Sequence, residues 1–322
     1  MHDSQDPDVH ASVRRRFELF LAIFFFVLVL ALYPYTGNPT NDIKTFLSAW
    51  AACIIGGGWF FSAWYYKIPV RRPRALWFPI VGLIALYGVS TLLSPLRAIG
   101  VLETSRLIVL GTFYYVASQV YTTPGAVRRL LKVLVLASFV GTLYGFLQAG
   151  GFDPVPWDPG DKKTDLYTGL PAAYGNPNFA AHVMVLTLPI AIYLFFTERA
   201  WFWGVAAGAL AVHLGMTGQR ASYIAFAGAA TLAGVAWVTL RSAKQPLVTS
   251  LKTLGVWALL GVLGLAAGMG LLSLKTGSPL PLDTSLHIRY WSYISATDMI
   301  RHAPLLGSGP GVYAHKYHEY WT

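Results

Sequence analysis

The chain has 322 residues, of which 55% are hydrophobic and only 12% are Asp, Glu, Lys or Arg; its formal net charge is +10 and its mean hydropathy +0.51. That charged share is about half that of an ordinary soluble domain, which excludes a typical cytosolic enzyme, a disordered chain and a nucleic-acid binder. The basic residues sit in short clusters between long apolar runs, the pattern of a polytopic membrane protein with positive loops in the cytoplasm.

A membrane-spanning helix needs roughly 20 mostly apolar residues. Nine runs read as spans: 17–35, 45–66, 75–93, 104–121, 130–149, 179–197, 201–216, 221–240 and 252–274. The first follows Arg14, Arg15 and Arg16, like the charged start of a signal peptide. The apolar run is long for one, and Leu32-Tyr33-Pro34-Tyr35 stands where a small-x-small cleavage site belongs. The expectation is therefore an uncleaved first helix with a cytoplasmic N-terminus, preceded by 13 loose polar residues. Inside loops then carry 14 Lys and Arg and outside segments 10, with the inside loops the shorter. Cys53 is the sole cysteine, so no disulfide framework or thiol metal site exists. The fold class is all-α, with residues 1–149 supplying the first five helices and 150–322 the remainder.

Two long outside segments, 150–178 and 275–322, hold most of the chemistry. Asp153, Asp158, Asp161 and Asp165 crowd the first without the spacing of a calcium loop, and read as a solvated acidic loop. Gly175-Asn176-Pro177-Asn178 opens the sixth span, with His182 one turn deeper. Asn before Pro is a helix cap; the residues alone leave open whether this turn only caps or also binds, and whether His182 is structural or functional. Thr217-Gly218-Gln219-Arg220-Ala221-Ser222 forms a hairpin tip. Arg220 there is either an anchor at a helix end or a planar fork of donors for phosphate.

Residues 285–302 place Leu286, Tyr290, Tyr293, Ile294, Thr297 and Ile300 at spacings of three and four, an amphipathic helix suited to a membrane surface. Pro304 ends it, and Gly307-Ser308-Gly309-Pro310-Gly311 follows as a flexible turn. No strand precedes these glycines, so they are weak evidence for a phosphate cradle. His315 and His318 lack accompanying Cys or carboxylate ligands, and no metal site is expected.

Taken together these stretches resemble the O-antigen ligase and polymerase family of bacterial membrane proteins. The resemblance rests on Gly175-Asn176-Pro177-Asn178, Thr217-Gly218-Gln219-Arg220-Ala221, Arg289-Tyr290-Trp291, Pro304-Leu305-Leu306-Gly307-Ser308-Gly309-Pro310-Gly311, Tyr313 and Tyr317, in that order, and covers residues 150–322. It implies a C-type glycosyltransferase of the bacterial inner membrane. Such an enzyme moves a glycan from an undecaprenyl-type lipid diphosphate to lipid A core, a growing polysaccharide or a protein hydroxyl. It implies no cofactor and no metal. Arg220 and Arg289 would be catalytic, stabilising the leaving diphosphate. Asn176, Asn178, His182, Gly307, Gly309, Gly311 and Tyr317 would bind substrate. Gln219 and Ala221 stand where the family carries Ser and Gly. The family also has a His-Asn-x-x-Leu motif after the glycine run, followed by further spans. The chain reaches Trp321-Thr322 without it, so the resemblance implies a frame that continues and a catalytic base beyond residue 322.

A transporter is the rival class. It needs polar groups at mid-span, and Glu103, Arg106 and His213 are the nearest candidates, all close to span ends.

Overall fold

The structure is a computed structural model. It describes residues 7–36, 38, 40–71, 76–153, 155, 169–242, isolated positions between 255 and 274, and 283–320; the side chains of 232–242 and 283–288 lie outside that description. The described residues form helices joined by turns and short loops, with no strand among them. Helix α1 is Pro7–Leu30, α2 is Asn41–Tyr65, α3 is Trp77–Leu93, α4 is Arg97–Val120 and α5 is Pro124–Ala149. Then follow α6 (Pro177–Glu198), α7 (Trp201–Met216), α8 (Arg220–Ser242), α9 (Asp283–His302) and the single turn α10 (Tyr313–Lys316).

Among the described residues, four helices are long and apolar enough to cross a membrane: α2, α4, α5 and α6. Helices α3 and α7 are apolar but shorter, at 17 and 16 residues. These elements fall close to the expected runs, and α7 has the expected bounds. The ninth run, 252–274, lies mostly outside the described residues, as does the acidic loop beyond Asp153. Large apolar side chains stand exposed along the helices, including Phe61, Trp64, Phe78, Leu92 and Leu110. A bundle bathed in hydrocarbon presents such a surface, since lipid tails are as apolar as the side chains.

The start of the chain differs from expectation. Helix α1 begins at Pro7 rather than after a loose stretch of 13 residues. Pro suits a first helical position and Asp8 the positive end of the helix dipole. His10 Nε2 is hydrogen-bonded to the Tyr66 carbonyl at 2.9 Å, and Arg14 donates to the Pro69 carbonyl at 3.1 Å. Long-range polar contacts thus hold a segment whose composition reads as free.

The chain divides into two units, Met1–Leu21 with Thr45–Pro124 and Pro281–Thr322, and Ala22–Lys44 with Gly125–Leu280. The first is built on close helix contacts. A π-helical segment, Ala52–Gly56, interrupts α2, and a Cβ on Gly56 would stand 2.6 Å from the Thr112 methyl of α4. Small residues let membrane helices approach in this way. Trp59 is fully buried and meets Phe17 edge to face at 5.4 Å. Gln119, also fully buried, is satisfied by the Arg71 backbone: it accepts from the N–H at 2.8 Å and donates to the carbonyl at 2.7 Å. A buried amide left unpaired would be costly in an apolar setting.

The second unit centres on the α6–α7 hairpin. Ala180, Ala181, Ala191, Ala206, Ala207 and Ala211 are buried with Met184, Leu188, Leu210 and Leu214 between them. Arg199, left-handed at φ 56°, turns the chain between the two helices. Beside that turn Glu198 accepts from Lys132 at 2.8 Å and from the Trp203 indole at 3.2 Å.

Candidate functional site

In the second unit the two motif turns are held against each other. Asn176 is extended, at φ −147° and ψ 132°, and its side chain accepts from the Asn178 N–H at 2.8 Å. Pro177 takes the first helical position of α6, as the sequence led one to expect. At the other turn Thr217 is fully buried and its hydroxyl donates to the Leu214 carbonyl at 2.6 Å. Gln219 donates from its amide to the Thr217 carbonyl at 3.2 Å, and Arg220 opens α8, exposed.

Residues 169–174 join these turns. The Leu170 N–H donates to the Met216 carbonyl at 3.0 Å. Gly169 lies so close to the Thr217 carbonyl that any Cβ would overlap it, and the same Cβ would stand 3.0 Å from Pro177. The starts of α6 and α8 are therefore neighbours. A helix start carries unpaired N–H groups and the positive end of the dipole, and so favours anions.

Further side chains support this junction, and of these the sequence had marked only His213, as a polar group near a span end. Thr40 fills the space a side chain on Gly175 would need, where the backbone is left-handed at φ +69°. Lys44 donates to the Ala173 carbonyl at 3.0 Å and lies 5.3 Å from the centroid of the Tyr174 ring. His213 is fully buried, hydrogen-bonded through Nδ1 to Thr142 at 2.9 Å, with the Leu170 backbone on its other side. Tyr174 is 4% exposed, its phenol oxygen 2.9 Å from where a Gly141 Cβ would be. Burial raises the Tyr174 pKa and keeps the phenol neutral. Asn178 and His182 are exposed one turn apart on the same side of α6.

In the first unit the glycine run is clasped by the α3–α4 hairpin. Ser90 donates to the Leu306 carbonyl at 2.7 Å and Ser94 to the Ser308 carbonyl at 2.9 Å. Gly309, at φ +115°, leaves no room for a Cβ because Ser94 occupies that space. A Cβ on Gly311, at φ +74°, would stand 2.8 Å from Glu103 and 2.9 Å from Ile99. Glu103 is itself paired with Arg106. Gly307, at φ +65°, has open space around it. The run is thus a fixed loop rather than a flexible one, and its signal in sequence was Ser90 in the last turn of α3 and Ser94 just past the helix end.

Beyond the run, Tyr313 donates to the Ser292 carbonyl at 2.9 Å and stacks on Tyr317 at 5.7 Å. Arg289 is exposed on α9. The expected amphipathic face of that helix is borne by Tyr290, Tyr293 and Ile300, 61%, 71% and 63% exposed, while Ser295 and Met299 are buried opposite. Asn176, Asn178, His182 and Arg220 therefore belong to one unit, and Gly307, Gly309, Gly311, Arg289 and Tyr317 to the other. No group of three or more His, Cys, Asp or Glu poised to hold a metal occurs among the described residues. No known family profile, no curated protein and no solved structure matches the chain.

Proposed function

We propose that the chain belongs to a lipid-linked-glycan transferase of the bacterial inner membrane, with nine spans and a cytoplasmic N-terminus. It moves a glycan from an undecaprenyl-type diphosphate to an acceptor hydroxyl on the outer face, in O-antigen or other surface-polysaccharide assembly, as ligase or polymerase. The observation that carries the reading is the junction at Gly169, which brings Arg220 and the Asn176 turn together as two adjacent helix starts. Such a place stabilises negative charge, and negative charge is what develops as a lipid diphosphate departs.

The acceptor oxygen bonds to the anomeric carbon as the bond from that carbon to the phosphate oxygen breaks. The hydroxyl proton passes to a base, and the diphosphate leaves on its lipid. Arg220 neutralises the leaving charge with a planar fork suited to phosphate oxygens. Arg289, on the other unit, carries the same planar fork for phosphate oxygens. Asn176, Asn178 and His182 line the α6 start, and Gly307, Gly309, Gly311 and Tyr317 line the second substrate surface. The acceptor is lipid A core, a growing glycan or a protein hydroxyl.

The test is transfer from a radiolabelled polyprenyl-diphosphate glycan by the complete protein in vesicles. Arg220→Ala should lower the rate on the order of 100-fold or more while insertion is unchanged, with Arg220→Lys between. Wild-type rates in Arg220→Ala would overturn the assignment.

A further inference from the structure

We propose that Lys44 is a further ligand of the lipid diphosphate, sharing it with Arg220 at the α6 start. The inference rests on the transferase reading, but on different residues.

Lys44 stands one turn into α2, half-buried, in a chain with few charges to spare. Among the described residues, its polar contacts are a backbone carbonyl, that of Ala173, and the face of Tyr174. No carboxylate pairs with it among the described residues. Asp42, the nearest acid along α2, accepts instead from the Asn38 N–H at 3.0 Å. An ammonium has three donors, and Ala173 takes one of them. A half-buried cation without an anion is costly at the edge of an apolar bundle. A simple tie between α2 and residue 173 needs a donor there, not a charge.

The location says which anion. Ala173 is three residues before Asn176, the cap of α6. It is also three residues after Leu170, whose N–H is bonded to the turn that leads into Arg220. Three residues of extended chain reach about 11 Å at most. Lys44 and the Arg220 turn therefore attach to the same short segment, with the α6 start beside both. Two cations and two helix starts tied to one short segment fit a ligand carrying two linked phosphates.

The experiment measures binding of farnesyl diphosphate to the purified full chain in detergent micelles, with farnesol as the uncharged control. Lys44→Gln keeps a donor for the Ala173 carbonyl and removes the charge; Lys44→Arg keeps both. The expected result is roughly a tenfold weaker affinity for Lys44→Gln, near-recovery in Lys44→Arg, and no change for farnesol. Thermal unfolding of each variant reports the structural tie separately. If Arg220→Ala loses farnesyl diphosphate but Lys44→Gln binds it as wild type does, Lys44 is only a tie and the inference falls alone. If the wild-type chain binds farnesyl diphosphate no better than farnesol, the inference falls together with the transferase reading.

Discussion

Glycines crowd both candidate surfaces, but what they make room for differs. In the first unit Gly309 and Gly311 yield space to side chains: Ser94, Ile99 and Glu103 on the α3–α4 hairpin. In the second, Gly175 likewise yields space to the Thr40 side chain, but Gly169 yields it to a backbone carbonyl, that of Thr217. A side chain can rotate away or be cut back by mutation. A carbonyl is fixed by the helix end that carries it. The clasped loop is therefore tunable, whereas the junction of the two turns has one solution.

This contrast predicts a ranking. Gly169→Ala should have the largest effect, because the added methyl overlaps the Thr217 carbonyl and presses on Pro177 together. Overpacking of this kind costs about 3 kcal/mol or more when nothing can yield. Thermal unfolding in detergent should show it. The Leu170 amide, bonded to Met216 in the wild type, should exchange faster with solvent. Unchanged stability would mean that the two turns can separate freely, and the contrast with the first unit would be lost.

Gly309→Ala comes next. Its φ of +115° disfavours any side chain, and the methyl meets Ser94 as well. Gly307→Ala is the internal control, with a left-handed φ of +65° but open space. It should cost about 1 kcal/mol from backbone strain alone, with Gly309→Ala costing more. Cutting Ser94 to Gly should recover part of the Gly309→Ala loss in a double-mutant cycle, since the steric partner is removed. No single substitution can rescue Gly169→Ala in the same manner. A cycle showing no coupling between positions 94 and 309 would break the account of the clasped loop.

How far the sequence reached follows from the range of the forces involved. The four helices long and apolar enough to cross a membrane were legible because crossing demands long apolar runs, and the shorter helix 201–216 emerges with its expected bounds. The Asn176 cap was legible because a cap acts over two residues. The glycine run was legible as a turn but not as a clasped one, since its serine donors lie 216 and 214 residues away. Lys44 counted only as one outside charge among ten, because nothing local marks a lysine whose partners are Ala173 and Tyr174. His213 looked like a lone polar residue near a span end, and only the fold shows that Thr142 answers it. Arg220 and Arg289 were legible as residues, and the units they fall in were not.

The buried His213 extends the comparison to a polar anchor. Thr142→Val keeps the shape of the side chain and removes the hydroxyl that meets Nδ1. Leaving a buried donor or acceptor unsatisfied costs about 1–3 kcal/mol, and the loss should appear as a lower unfolding temperature. Because His213 also borders the Leu170 backbone, Leu170 exchange should quicken, as in Gly169→Ala but less. Stability lost without any change at Leu170 would confine His213 to holding α5 and α7 together, with no part in setting the two turns.

The smallest effect belongs to the cap of α6. Asn176→Ala removes the acceptor for the Asn178 N–H and should cost about 1 kcal/mol. Asn176→Asp keeps an acceptor and should keep the fold. The two variants part company over anions. Asp places a negative charge where the proposed diphosphate sits, so binding of farnesyl diphosphate should fall in Asn176→Asp although its stability does not. In Asn176→Ala the order should reverse, with stability falling more than binding. If Asn176→Asp bound farnesyl diphosphate as the wild type does, the α6 start would be a cap alone, and the anion would have to be held by the other unit.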